Sequence, residues 1–141
     1  MINKLTFDEF FAYLERGEIP PFPPEGTSTN GFNFTPNGLL RDFENRRKCN
    51  EIGMWAIIDQ TWTADLANWI KSRTVLEIMA GAGWLGKALS DRGIRIVATD
   101  GYMSYKTIFS VKKIWAVRAV SEINADILLV SWPPYTSEAI V

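Results

Sequence analysis

Apolar positions follow two rhythms along this chain, and the change falls near residue 72. Before it, apolar residues recur at helical spacing. Thr6-Phe-Asp-Glu9 has a capping-box pattern, and Phe7, Phe10, Phe11 and Leu14 follow up to Gly17. This predicts a short amphipathic helix that packs its aromatic face on the main domain. Residues 18–35 break the pattern. Pro20, Pro21, Pro23 and Pro24 predict an extended stretch, because each proline fixes φ and disfavours helix before it. A stiff surface connector and a polyproline ligand for another protein are the two readings. The Gly/Ser/Thr/Asn run to Gly31 predicts a loop, which Phe32 and Phe34 can tack back. Thr35-Pro36 opens a second helix, with Leu39, Leu40 and Phe43 on one face. Arg46, Arg47 and Lys48 near its end complement the helix dipole, with phosphate or nucleic-acid contact as the alternative. Ile52, Trp55, Ala56 and Trp62 suggest a further helix, and Thr63-Ala-Asp-Leu66 starts one more through Trp69 and Ile70.

After residue 72 short apolar runs alternate with helical spacing. Val75, Leu76 and Ile78 read as a buried parallel strand. Ala80-Gly81-Ala82-Gly83 is a turn with almost no side chains. Trp84, Leu85, Ala88 and Leu89 make a helix that Gly93 stops, and Ile94, Ile96 and Val97 make a second strand ending at Asp100. Residues 103–111 suit a helix, Ile114 to Val117 a third strand, and Ser121 to Asn124 a short helix or turn. Ile127 to Val130 is the fourth and most hydrophobic strand, and it runs into Ser131-Trp-Pro-Pro-Tyr135. This is half of a nucleotide-binding fold, with its ligand expected above the carboxyl ends of the strands.

Composition narrows the function classes. A chain of 141 residues with 47% apolar residues supports one domain with a real core. A net charge of −1 gives no global field for nucleic acid or anionic membrane, so nucleic acid is not supported by charge. There is no histidine, which excludes a His-based triad, and a zinc site is set aside on the same ground. The single Cys49 makes no internal disulfide and fits a reducing compartment. No apolar run approaches the ~20 residues that span a bilayer, and the N-terminus lacks a signal-peptide core. The expectation is a soluble cytoplasmic protein.

The glycines of the turn let a ligand approach the backbone, and Asp100 lies near the spacing at which a carboxylate accepts from ribose hydroxyls. At this point the chain resembles the class I S-adenosylmethionine-dependent methyltransferases. The family's first strand ends in Asp/Glu-x-Gly-x-Gly-x-Gly, matched here by Glu77-Ile-Met-Ala-Gly-Ala-Gly83, with Met79 where the first glycine is expected. The resemblance implies that Glu77, Met79, Ala80, Gly81 and Gly83 face the methionine end of S-adenosylmethionine. It implies that Asp100 binds the ribose, with Gly101 and Tyr102 beside the adenine. Ser131-Trp-Pro-Pro-Tyr135 is similar to the Asp/Asn/Ser-Pro-Pro-Tyr/Phe motif of amino-directed methyltransferases. By that likeness Ser131, Trp132, Pro133, Pro134 and Tyr135 would orient a target amino group, although Trp132 offers only a donor. The family's adenine contact after the third strand falls near Arg118 or Ala119, with Ser121 and Glu122 just beyond, and no one of them is singled out.

The resemblance covers residues 74–135. The family's sheet has seven strands in the order 3-2-1-4-5-7-6. The expected fold here is a truncated Rossmann-like α/β/α arrangement of about four mainly parallel strands, order 3-2-1-4. Residues 1–72 would pack N-terminal helices and the Pro-rich loop on a partial core at 73–141. Strand four would then be an edge, and Ile127 to Val130 would need cover from the N-terminal segment, a second copy or a protein partner. Two functions follow. One is a small methyltransferase that presents an amino group near Ser131 to Tyr135. The other is an inactive methyltransferase-like module, such as an immunity protein, antitoxin or split-enzyme subunit, that acts by protein contact.

Overall fold

The computed structural model describes residues 3–26, 36–102 and 105–131. Its centre is a parallel sheet in the order β3-β2-β1-β4, formed by β1 (Val75–Ile78), β2 (Ile96–Thr99), β3 (Val111–Lys112) and β4 (Ile127–Val130). This is the expected α/β fold with strand order 3-2-1-4. β1 is buried along its whole length, pairing Val75 with Ile96 on one side and with Ile127 on the other. A parallel strand buried on both faces needs a continuous apolar run, and Val75, Leu76 and Ile78 supply it. Glu77 interrupts that run.

From β1 the chain moves to β2 and β3 in one direction, then returns past β1 to β4. Crossovers of one hand that run in opposite directions put their helices on opposite faces of the sheet. α4 (Trp84–Ser90) accordingly joins the core that contains Val75, Ile96, Ile127 and Leu129. α5 (Ala116–Glu122) buries Ala119 against Leu76 and Ile78 on the other face. The direction of winding switches between β1 and β4, and open α/β sheets place ligands outside such a switch point.

α1 (Phe7–Glu15) begins with the capping box that Thr6 and Glu9 predict, and it sends Phe10 and Leu14 into the core. The Pro-rich stretch is a connector bonded to the body. Leu5 N–H donates to Pro23 O, Gln60 N–H donates to Pro20 O, and Pro20 and Pro24 are fully buried. Those bonds and that burial favour the connector reading over an exposed polyproline ligand. Phe32, Phe34 and Thr35 lie outside the described residues. α2 (Pro36–Glu51) leaves Leu40 and Phe43 exposed and buries Cys49.

Three expectations are corrected. Residues 52–59 are not helical. α2 ends in a Schellman arrangement, in which Gly53 takes φ +70° and Met54 N–H donates back to Cys49 O. The Trp55 ring packs onto the glycine turn at Gly81 instead, and Ile52 and Ala56 pack against the core. α3 (Gln60–Ile70) starts three residues earlier than Thr63, because Asp59 is its N-cap and accepts from Thr61 N–H. Thr63 is an interior residue whose hydroxyl donates to Asp59 O at 2.6 Å. Beyond Asp100, the described residues between 105 and 110 are irregular, the third strand is Val111–Lys112, and 116–122 is helix. Ile114 and Val117 look like strand residues because they are β-branched, but they flank the start of α5.

Candidate functional site

The carboxyl ends of β1, β2 and β4 bring together most of the described residues expected at a site. Asp100 is buried and holds the turn. Its carboxylate accepts from Gly81 N–H at 2.8 Å and from Tyr102 N–H at 2.8 Å, one bond to each oxygen. Each oxygen keeps capacity for another donor. Asp100 therefore joins the glycine turn after β1 to the loop after β2.

The turn is left-handed at three places. Gly81 and Gly83 have φ +59° and +88°, and Met79 has φ +57°. Met79 thus occupies the backbone region that its expected glycine counterpart would favour. Gly81 is glycine for a second reason. A Cβ there would collide with the Gly53 carbonyl and lie 2.6 Å from Trp55 Nε1. A Cβ on Gly83 would lie 2.9 Å from both Phe109 and Val111. Both glycines permit close packing within the protein, so neither need imply a ligand. Ala80 is buried and donates its N–H to Thr99 O, which ties the turn to β2.

Glu77 stands apart. It is buried at the end of β1, and among the described residues its Oε2 has no hydrogen-bond partner. Its Oε1 accepts from the Ser131 hydroxyl at 3.3 Å, across the β1–β4 pair. Burial pushes its pKa up to about 8 and the Asp100 charge adds to the rise, while the Ser131 hydroxyl pulls it down. The nearby Gly86 N–H also pulls it down, but falls short of hydrogen-bond geometry and leaves Oε2 without a partner among the described residues. A cavity of about 10 Å³ adjoins this carboxyl, lined by Met54, Trp55, Ala80, Trp84 and Ser131. That is room for about one water.

Ser131 therefore meets Glu77. Trp132, Pro133, Pro134 and Tyr135, expected to orient an amino group, lie outside the described residues. Gly101 and Tyr102 meet a residue that the sequence reading missed. The Trp115 ring packs on the Gly101 Cα and meets Tyr102 edge-to-face, with centroids 4.9 Å apart. Trp115 is 59% exposed and Tyr102 73% exposed, beside the buried Asp100. Arg118 and Ala119, the positions nearest to that contact in the family's pattern, are elsewhere. Arg118 pairs with Glu122 at 2.6 Å, and Ala119 is buried beneath the sheet. Trp115 belongs to no periodic pattern or motif in the sequence that marks it out, beyond its being one of six tryptophans in 141 residues. Trp55 was read as a helix position.

Among the described residues no cluster of three or more potential metal ligands is present, and no helix is long and apolar enough to cross a membrane. No protein-family model matches the chain, and neither a curated protein nor a solved structure matches it.

Proposed function

We propose that this chain binds S-adenosylmethionine across the carboxyl ends of β2, β1 and β4, as a methyltransferase-like protein acting on an amino group near Ser131 to Tyr135. The observation that carries this reading is Glu77. A buried carboxyl with an unpartnered oxygen is costly unless a donor or cation meets it. It sits at the switch point of the sheet, where ligands of open α/β folds bind. An α-ammonium group is a donor of the right charge and size. The exposed Trp115–Tyr102 pair gives a base two aromatic surfaces, and Asp100 beside it keeps lone pairs for ribose hydroxyls. The two carboxyls are acceptors that fit the group at both ends, while the space over Glu77 admits about a water.

When bound, the cofactor supplies an electrophilic methyl group. The chain's own residues contribute placement. Asp100 fixes the turn through Gly81 N–H and the Tyr102 loop through Tyr102 N–H. Glu77 ties the start of the Ser131 segment to β1. Preorganised groups of this kind lower a barrier by holding donor and acceptor in line. Equilibrium dialysis against S-adenosylhomocysteine tests the reading. Trp115→Ala should weaken binding by roughly tenfold through loss of base contact, an effect of the size that aromatic contacts with bases provide. Unchanged affinity in Trp115→Ala would place the base elsewhere.

One observation favours the second reading, an inactive module that acts by protein contact. β4 is an edge among the described strands, and it exposes Leu128 (49%) and Val130 (40%) on the face where α5 exposes Val117 and Val120. An uncovered apolar edge suits pairing with another chain, either a second copy or a different protein.

A further inference from the structure

Three of the tryptophans lie around the Glu77 cavity or its covering loop, and they are held differently. Trp84 Nε1 donates to Ile52 O at 3.1 Å, and Trp62 Nε1 donates to Ile57 O at 3.0 Å. These two bonds pin both ends of the loop at 52–57. Its backbone is fixed further by Ala82 N–H donating to Gly53 O at 3.0 Å and by the full burial of Met54 and Ile58. Trp55 is the exception. It is half-buried, and among the described residues its indole N–H makes no hydrogen bond. Its ring is held by an edge-to-face contact with Tyr105, with centroids 5.3 Å apart and planes at 83°. That ring lies over Gly81 and lines the cavity. A rigid loop that carries one weakly held side chain has one part free to move.

We propose that Trp55, latched on Tyr105, is a gate that must swing off Gly81 before the amino-acid end of a cofactor reaches Glu77. The proposal rests on the cofactor reading above. It explains why a site with donor-seeking chemistry encloses about 10 Å³: this is the shut position. A ligand that binds only the open form sees its affinity reduced by the fraction of molecules that are open. Weakening the latch raises that fraction.

The test uses the full chain labelled with 5-fluorotryptophan and S-adenosylhomocysteine as the probe. Loss of one resonance in Trp55→Phe assigns Trp55. At saturation the Trp55 resonance should shift. Tyr105→Ala should bind about two- to tenfold more tightly than wild type, the range an edge-to-face aromatic pair accounts for, and Tyr105→Phe should match wild type. Tyr105→Leu, which keeps apolar bulk without a ring, serves where Tyr105→Ala folds poorly and should also bind more tightly. A Trp55 resonance unmoved at saturation overturns the gate, as does weaker binding in Tyr105→Ala and Tyr105→Leu with Tyr105→Phe intact. Either result leaves the cofactor reading standing, with Trp55 as a fixed wall. Binding by none of these proteins at millimolar probe removes the cofactor reading, and the gate with it.

Discussion

The Glu77 carboxyl is shifted upward by burial, opposite to Glu9 and Asp126, which hydrogen bonds from Thr6 and Thr74 hold below the usual carboxylate range. Burial raises its pKa from 4.5 to about 8, so the folded chain holds a proton there that the unfolded chain releases. The sign follows: the folded state binds more protons between these values, so stability falls as pH rises from about 4.5 through about 8. Glu77→Gln keeps the shape without the titration and should flatten that fall. Urea unfolding at pH 5 and pH 8 measures it; an equal pH slope in wild type and Glu77→Gln would contradict the burial argument. Met79 is the other unusual residue of the turn. Left-handed backbone costs a side chain about 1–2 kcal/mol, and glycine avoids this while losing up to about 1 kcal/mol in chain entropy. Met79→Gly should therefore raise unfolding stability by about 0.5–1 kcal/mol, read by chemical denaturation. A loss of stability would mean that the Met79 side chain contributes packing that outweighs the strain.

At the scale of elements, legibility followed period and boundary. β1, α4 and β4 could be read because each has an apolar run or helical spacing closed by a clear stop, such as Gly93. The strand order 3-2-1-4 came with the family resemblance and is the order of the sheet. β3 could not be read, since two residues carry no period. Ile52, Trp55 and Ala56 share a helical spacing but belong to a loop that Gly53 turns away from α2. Single-chain periodicity cannot separate packing along a helix from packing onto a distant turn. The site shows the same division. Glu77 and Asp100 were legible because strand ends place them, whereas Trp115 and Trp55 reach the site through tertiary contact alone. Packing of the turn also makes a prediction. Gly83→Val places a branched side chain at φ +88° and against Phe109 and Val111. It should destabilise the fold by about 3 kcal/mol or more, measured by thermal or urea unfolding. A loss below about 1 kcal/mol would show that the turn adjusts freely.

For the whole molecule, the N-terminal helices and the sheet share one core, since Phe10, Leu14 and Ile70 cluster with Val75, against which Ile96, Ile127 and Leu129 pack. The opposite face is covered only in part by α5, which leaves the apolar edge of β4 open among the described residues. If a second copy covers it, light scattering after size exclusion should give a mass above the monomer, and Leu128→Lys with Val130→Lys should return it to the monomer. A wild-type monomer at high concentration would contradict cover by a second copy. The central claim concerns the cofactor, and Glu77 supplies its most direct test. Near pH 7 the Glu77 carboxyl is mostly protonated, and an ammonium donor should ionise it. Calorimetric titration with S-adenosylhomocysteine at pH 7, in two buffers of different ionisation enthalpy, should show binding with release of close to one proton. Glu77→Gln should show no release. No heat of binding at millimolar ligand, in either buffer and with no rise in melting temperature, would contradict the account.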